Sequence, residues 1–185
     1  MHGLRNHFLL AMPQLLDENF AGTLTYVCDD DAKGVLGVIV NRPLKLSLGG
    51  LLEQLDLEVE TLRDAERPVM FGGPVHTDRG FILHQGSADD WDSSLQVSEE
   101  VALTTSMDML RAIAAGRGPE RFMVLLGCAG WQVGQLTDEL KANAWLTVEA
   151  QDSVLFETPI ESRREAAAGL LGVDLRLLSV AAGHG

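Results

Sequence analysis

A chain of 185 residues, 46% hydrophobic and 22% charged, has ample apolar side chain for a packed core. That excludes intrinsic disorder and fits one domain over residues 1–185. Its 27 acidic residues against 14 lysines and arginines give a net charge of −13. No basic tail or stripe goes beyond the pair Arg163-Arg164, which speaks against nucleic acid and anionic membranes as partners.

The Phe8–Met12 run is followed by Pro13 and Asp17-Glu18, with no small-residue cleavage pattern. It reads as an opening strand, not a signal peptide. No apolar run approaches the roughly 20 residues that cross a bilayer. Thr23 to Cys28 alternates and is rich in β-formers. Asp29 to Gly34 reads as a turn, and Val35 to Val40 as a strand apolar on both faces, hence central in a covered sheet. Pro43 ends it. Ser47 caps a helix bearing Leu48, Leu51, Leu52 and Leu55 at helical spacing. An acidic loop covers residues 58–66.

Val69 to Phe71 and Phe81 to His84 are strand candidates, separated by Gly72-Gly73-Pro74 and a polar turn. Residues 85–94 read as a polar loop holding Trp91. Thr105-Ser106 caps a helix from Met107 to Ala115, and Gly116 stops it. Phe122 to Leu126 is a buried strand. The run Gly127-Cys128-Ala129-Gly130-Trp131-Gln132-Val133-Gly134 then has the composition of a strand-to-helix turn, and Gln135 to Ala142 of a helix. Trp145 to Val148 and Val154 to Phe156 read as late strands. A last helix carries Ile160, Ala167, Leu170 and Leu171, and an apolar, glycine-ended tail starts at Leu175. Strands with interspersed helices, lacking regular β-α-β alternation, predict an α+β fold with a mixed or antiparallel sheet.

Cys28 and Cys128 lie far apart, in or beside apolar runs. They read as two reduced, unbridged, buried thiols, suited to a reducing cytoplasm. Cys128 as nucleophile would need a Gly-x-Cys-x-Gly elbow, and the frame here is one residue short. His76, Asp78 and His84 lack metal-ligand spacing. The glycines of residues 127–134 lack the lysine of a phosphate loop and the tight pair of a dinucleotide turn. No catalytic residue, metal or cofactor is therefore assigned. Asn41-Arg42, directly after a buried strand, and Gln135, at a helix start, allow two readings. They converge with Gly72, Gly73, His84, Gly130 and Trp131 on a binding cleft, or they satisfy turns and caps.

Taken together, several motifs resemble the AlgH/YqgE family. They are Leu9-x-Ala11-x-Pro13-x-Leu15-x-Asp17-x-x-Phe20, Gly34-x-x-Gly37-Val38-Ile39-Val40-Asn41-Arg42-Pro43, Gly72-Gly73-Pro74-Val75, Phe81-x-Leu83-His84, Gly127-x-Ala129-Gly130-Trp131-x-x-Gly134-Gln135-Leu136 and Asn143-x-Trp145-Leu146. The resemblance implies one α+β domain whose bifurcated sheet curls into a pseudo-barrel with flanking helices. It implies no catalytic residues, and one branch has a name linked to transcriptional regulation of alginate synthesis. The chain departs from the family's usual Tyr at Cys128 and Glu at Thr137. The resulting expectation is a cytoplasmic, non-enzymatic binding or regulatory protein. Its partner is a protein or a small molecule, with a monomer favoured. The alternatives are an enzyme using the Asn41/Arg42/Gln135 cleft and a direct DNA-binding regulator.

Overall fold

Apolar side chains on both faces of a strand demand cover on both faces, and this requirement organises the fold. The computed structural model describes residues 3–59 and 64–177. Strands β1 (His7–Ala11), β2 (Leu24–Asp31) and β3 (Gly34–Ile39) form an antiparallel meander. Phe8 to Ala11 are all fully buried. The hairpin is tighter than the sequence predicts: Asp29 to Asp31 belong to β2, and Ala32-Lys33 make the turn. The register shifts between Val27 and Asp29, a bulge that keeps Cys28 buried while the acids beyond it reach the surface.

Strand β4 (Pro43–Ser47) leads into α1 (Leu48–Gln54). The Ser47 hydroxyl accepts from the Gly50 amide at 3.0 Å, the expected cap, and Leu48, Leu51 and Leu52 are buried. Then come β5 (Pro68–Phe71), β6 (Val75–Gln85), β7 (Ser94–Gln96), β8 (Val101–Thr104) and α2 (Met107–Ala114). The polar turn expected before Phe81 is the first half of β6. β7 takes up the end of the expected loop, and β8 had no reading in the sequence. Last are β9 (Phe122–Trp131), α3 (Gln135–Lys141), β10 (Trp145–Glu149), α4 (Asp152–Phe156) and α5 (Arg163–Leu170). Two expectations fail here. Val154–Phe156 is helical, because two buried residues, Val154 and Leu155, dock one short turn onto the core. Residues 127–131 are not a turn: β9 runs through them to Trp131, since β3 and β6 both pair with that stretch.

The strand order is β10-β1-β2-β3-β9-β6-β8-β7, with β4 and β5 branching off at β9. β9 is the trunk of the bifurcation, antiparallel to β3 and β6 and parallel to β5. The branch needs backbones closer than side chains allow. A Cβ on Gly73 would overlap the Cys128 carbonyl, and one on Gly127 would overlap that of Gly73, with Gly127 at φ +81°. Only glycine satisfies both demands. The sheet curls until its distant ends share one core: Phe8, Leu10 and Tyr26 cluster with Val97, Val101 and Leu103, and α4 and α5 fill the remaining space with Val154, Leu155, Ala167 and Ala168. The result is the expected α+β fold, with its curled, bifurcated sheet forming a half-barrel. α1 and α2 cover a second face through Leu52, Met109 and Ile113. A third cluster holds Leu9, Val27, Trp131, Leu136 and Trp145. Both cysteines are free thiols in the main core, and burial pushes both above the ordinary thiol range.

Candidate functional site

Trp131 ends β9 and is 4% exposed. Its ring meets those of Phe20 and Trp145 at 5.9 Å each, and Phe20 meets Trp145 at 5.6 Å, edge-on. Such tilted and edge-to-face arrangements suit the ring quadrupoles. Buried indole N–H groups need acceptors, and one carboxylate oxygen serves both: Glu139 Oε1 accepts from Trp145 at 3.0 Å and from Trp131 at 3.4 Å. α3 presents Glu139 to both rings. Gly134, at φ +82°, starts that helix, and Gln135 Oε1 accepts from the Gln132 amide at 3.0 Å across the turn.

Beside this scaffold lies an open groove of about 350 Å³, floored by Val35, Leu36, Gly130 and Trp131. Its origin is local. Leu36 pairs with Gly130 across the β3–β9 ladder, and nothing lies within 4 Å of where a Gly130 Cβ would sit, so a side-chain-sized gap opens next to Leu36. Asp29, Asp31 and Lys33 form the lip. Arg5 pairs with Asp29, and Asp31 Oδ1 accepts from the Lys33 amide at 2.8 Å. Val133, 70% exposed, stands one residue beyond the groove wall.

Of the residues singled out from the sequence, Gly130 and Trp131 line this groove, and Gln135 adjoins it through Gln132. Asn41 and Arg42 reach it only indirectly. Asn41 Oδ1 accepts from the Leu24 amide at 2.8 Å, and its Nδ2 donates to Gly22 O at 3.1 Å. Arg42 donates to the carbonyls of Asn19 at 2.7 Å, Ala21 at 2.6 Å and Glu18 at 3.0 Å. Together they hold the 17–22 loop that lays Phe20 on the indoles. Gly72 and Gly73 lie at the strand branch against the β9 backbone.

His84 is fully buried elsewhere in the sheet. Its Nδ1 faces Gln85 O at 3.1 Å, and its Nε2 lies 2.7 Å from Thr104 Oγ1, which itself lies 2.7 Å from Ser94 Oγ. A carbonyl can only accept, so Nδ1 donates and Nε2 takes the Thr104 hydroxyl. Burial holds the His84 pKa below its ordinary value, which favours this neutral tautomer over the imidazolium.

Sequence reasoning passed over the joint role of Glu139, Trp145 and Phe20. Each was visible as a residue, but only the fold brings positions 20, 131, 139 and 145 together.

The AlgH-like family model matches residues 8–176. A UPF0301 protein of Chromohalobacter salexigens is 64% identical over 184 residues, covering 100% of both chains. One from Paraburkholderia phymatum is 49% identical over 181 residues, 98% of this chain and 95% of that one. The solution structure of the AlgH protein from Pseudomonas aeruginosa superposes with a TM-score of 0.80 at 47% identity, covering 95% of this chain and 93% of that one. A protein of Corynebacterium diphtheriae shares the fold at a TM-score of 0.77 and 15% identity, over 97% and 93% of the two chains.

Proposed function

Since the chain belongs to the AlgH-like family, we propose that it is a cytoplasmic, non-enzymatic binding protein of regulatory type, which docks a basic, apolar segment of a partner protein in the β3–β9 groove. The observation that carries this reading is the groove itself: an apolar floor with Asp29, Asp31 and Lys33 on its lip, braced by the locked Trp131–Trp145–Glu139 scaffold. A rigid aromatic base beside a small apolar depression is the form that anchors a partner's aliphatic side chain. Arg5 and Lys33 offset the two carboxylates of the lip, and it is the −13 net charge, with Asp31 as its local contributor, that favours cationic partners and opposes DNA. The polar side chains that could have served catalysis are engaged with the chain's own backbone: Asn41 with Gly22 and Leu24, Arg42 with the 17–22 loop, Gln135 with its own turn.

The test is selection from a random peptide library, with the bound region read by amide shifts in NMR. Enrichment of peptides that combine Lys or Arg with an aliphatic residue, shifting residues 34–36 and 130–133, is the expected result. Asp31→Asn keeps the turn acceptor and removes the charge. It should weaken such peptides about threefold to tenfold at low salt, and far less at high salt. Enriched peptides without charge bias, or shifts confined to another face, would overturn the proposal.

A further inference from the structure

The opposite sign of charge gathers in a different place. A cleft of about 250 Å³ lies between the start of β9 and the α4–α5 segment. Arg67, Arg121 and Arg163 line it, with Glu120 as the one carboxylate among its lining residues. The three arginines are far apart in the chain, so the sequence shows no basic cluster here; the fold assembles one on an otherwise acidic protein.

Each guanidinium is held in place yet keeps donors to offer. Arg163 Nη1 donates to Val40 O at 2.7 Å and its Nε to Thr158 O at 3.2 Å. Both acceptors are neutral, and its Nη2 has no hydrogen-bond partner among the described residues. Burial pulls this guanidinium down to about 10, with the nearby Glu161 charge opposing the fall. Arg67 lies over the Phe122 ring at 4.3 Å, donates to Phe122 O at 2.8 Å and pairs with the exposed Asp64 carboxylate at 3.3 Å, a surface pair like that of Arg121. Arg121 pairs with Glu157 at 2.6 Å, but these side chains are 42% and 51% exposed, so the pair is a weak surface one that an incoming anion can exchange. Leu155, Phe156 and Ile160 add an apolar wall.

We infer that this cleft binds a small amphipathic anion, its carboxylate or phosphate held between Arg163 and Arg121 and its apolar body resting on Phe122, Leu155 and Phe156. Planar guanidinium forks fit both oxyanions. The volume is below the roughly 300–1,000 Å³ of sites for drug-sized ligands, which limits the occupant to a small molecule. The site is separate from the groove in the proposal above and stands without it.

The experiment titrates the full chain with four probes followed by NMR: phenyl phosphate, phenylacetate, inorganic phosphate and benzyl alcohol, at constant ionic strength. At least one aromatic anion should bind about tenfold or more tighter than inorganic phosphate and benzyl alcohol, shifting residues 121–123, 155–156 and 163. Whichever aromatic anion binds tighter identifies a phosphate or a carboxylate ligand. Arg163→Ala removes a support of Val40 and costs folding stability, so the deciding variant is Arg121→Ala, which breaks only a surface pair. It should weaken the aromatic anion about fivefold or more with the melting temperature unchanged. The inference is overturned if benzyl alcohol binds as well as the anions, if no aromatic anion exceeds inorganic phosphate, or if Arg121→Ala leaves binding intact.

Discussion

Single residues here do work that their types do not announce. Glu139 resembles any exposed helix acid, yet its Oε1 accepts from two buried indoles. Glu139→Ala should cost about 1–3 kcal/mol, because two N–H groups lose their acceptor, whereas Glu139→Gln, which keeps a carbonyl oxygen, should cost well under half as much. Urea unfolding of both variants checks the contrast. Arg42 and Gln135 looked alike from the sequence, both polar and both flanking a turn. Arg42→Ala strips donors from three backbone carbonyls and should cost about 1–3 kcal/mol; Gln135→Ala gives up one exposed turn contact and should change the melting temperature little. Equal losses at both positions would contradict this account of their roles.

His84 gives a pH signature. Its folded pKa lies below the unfolded value because of burial, so below about pH 6.5 the unfolded chain takes up a proton that the folded chain refuses. Stability contributed by the neutral ring is therefore present above pH 6.5. It declines on acidification toward the folded pKa, by at most ~1.4 kcal/mol per pH unit. His84→Asn should flatten that part of the stability curve between pH 7.5 and 5.5, and identical slopes for the two proteins would refute the neutral-ring assignment.

At the scale of elements, legibility followed the source of the signal. α1 was readable because Ser47 and its leucines are local cues. Strands β1 to β3 were readable from apolar runs, though not the pairing of β1 with β2, and α5 from its spacing. β9 was misread past Leu126 because glycines usually mark turns. Here Gly127 sits within a strand because another backbone crosses it, and no local pattern reports a crossing. α4 was misread because three apolar residues fit a strand or a helix turn equally well. The candidate site was only partly legible in the same way: Gly130 and Trp131, singled out from the sequence, line the groove, while Phe20 and Trp145, which complete the aromatic cluster, belong to other elements. The crossing makes a sharp prediction. Gly127→Ala forces a side chain into the Gly73 carbonyl at a positive φ and should cost several kcal/mol or abolish folding, whereas Gly130→Ala, facing open space, should fold and partly fill the groove. Circular dichroism melts of the two variants decide it.

For the molecule as a whole, charge and burial set what it meets. A gel shift at physiological salt should show no sub-micromolar duplex binding, since the arginine cleft is compact and offers no track of cations along a phosphate backbone. Native protein should resist maleimide at both cysteines and react fully once unfolded, as buried thiols held above their ordinary pKa do. The same architecture bears on how the chain is made. β1 pairs along its whole length with β10, and Arg164 and Arg163 of α5 reach back to the carbonyls of Ala11 at 2.7 Å and Val40 at 2.7 Å. A ribosome delivers the N-terminus first, so β1 emerges with one flank vacant and waits on the order of ten seconds for its partner at ~5–20 residues per second. Through that interval an apolar strand edge is open to neighbouring nascent chains. Safe synthesis of this protein thus depends on how quickly translation runs through β10 to α5, and ribosomes paused before codon 150 should accumulate chains that need a chaperone.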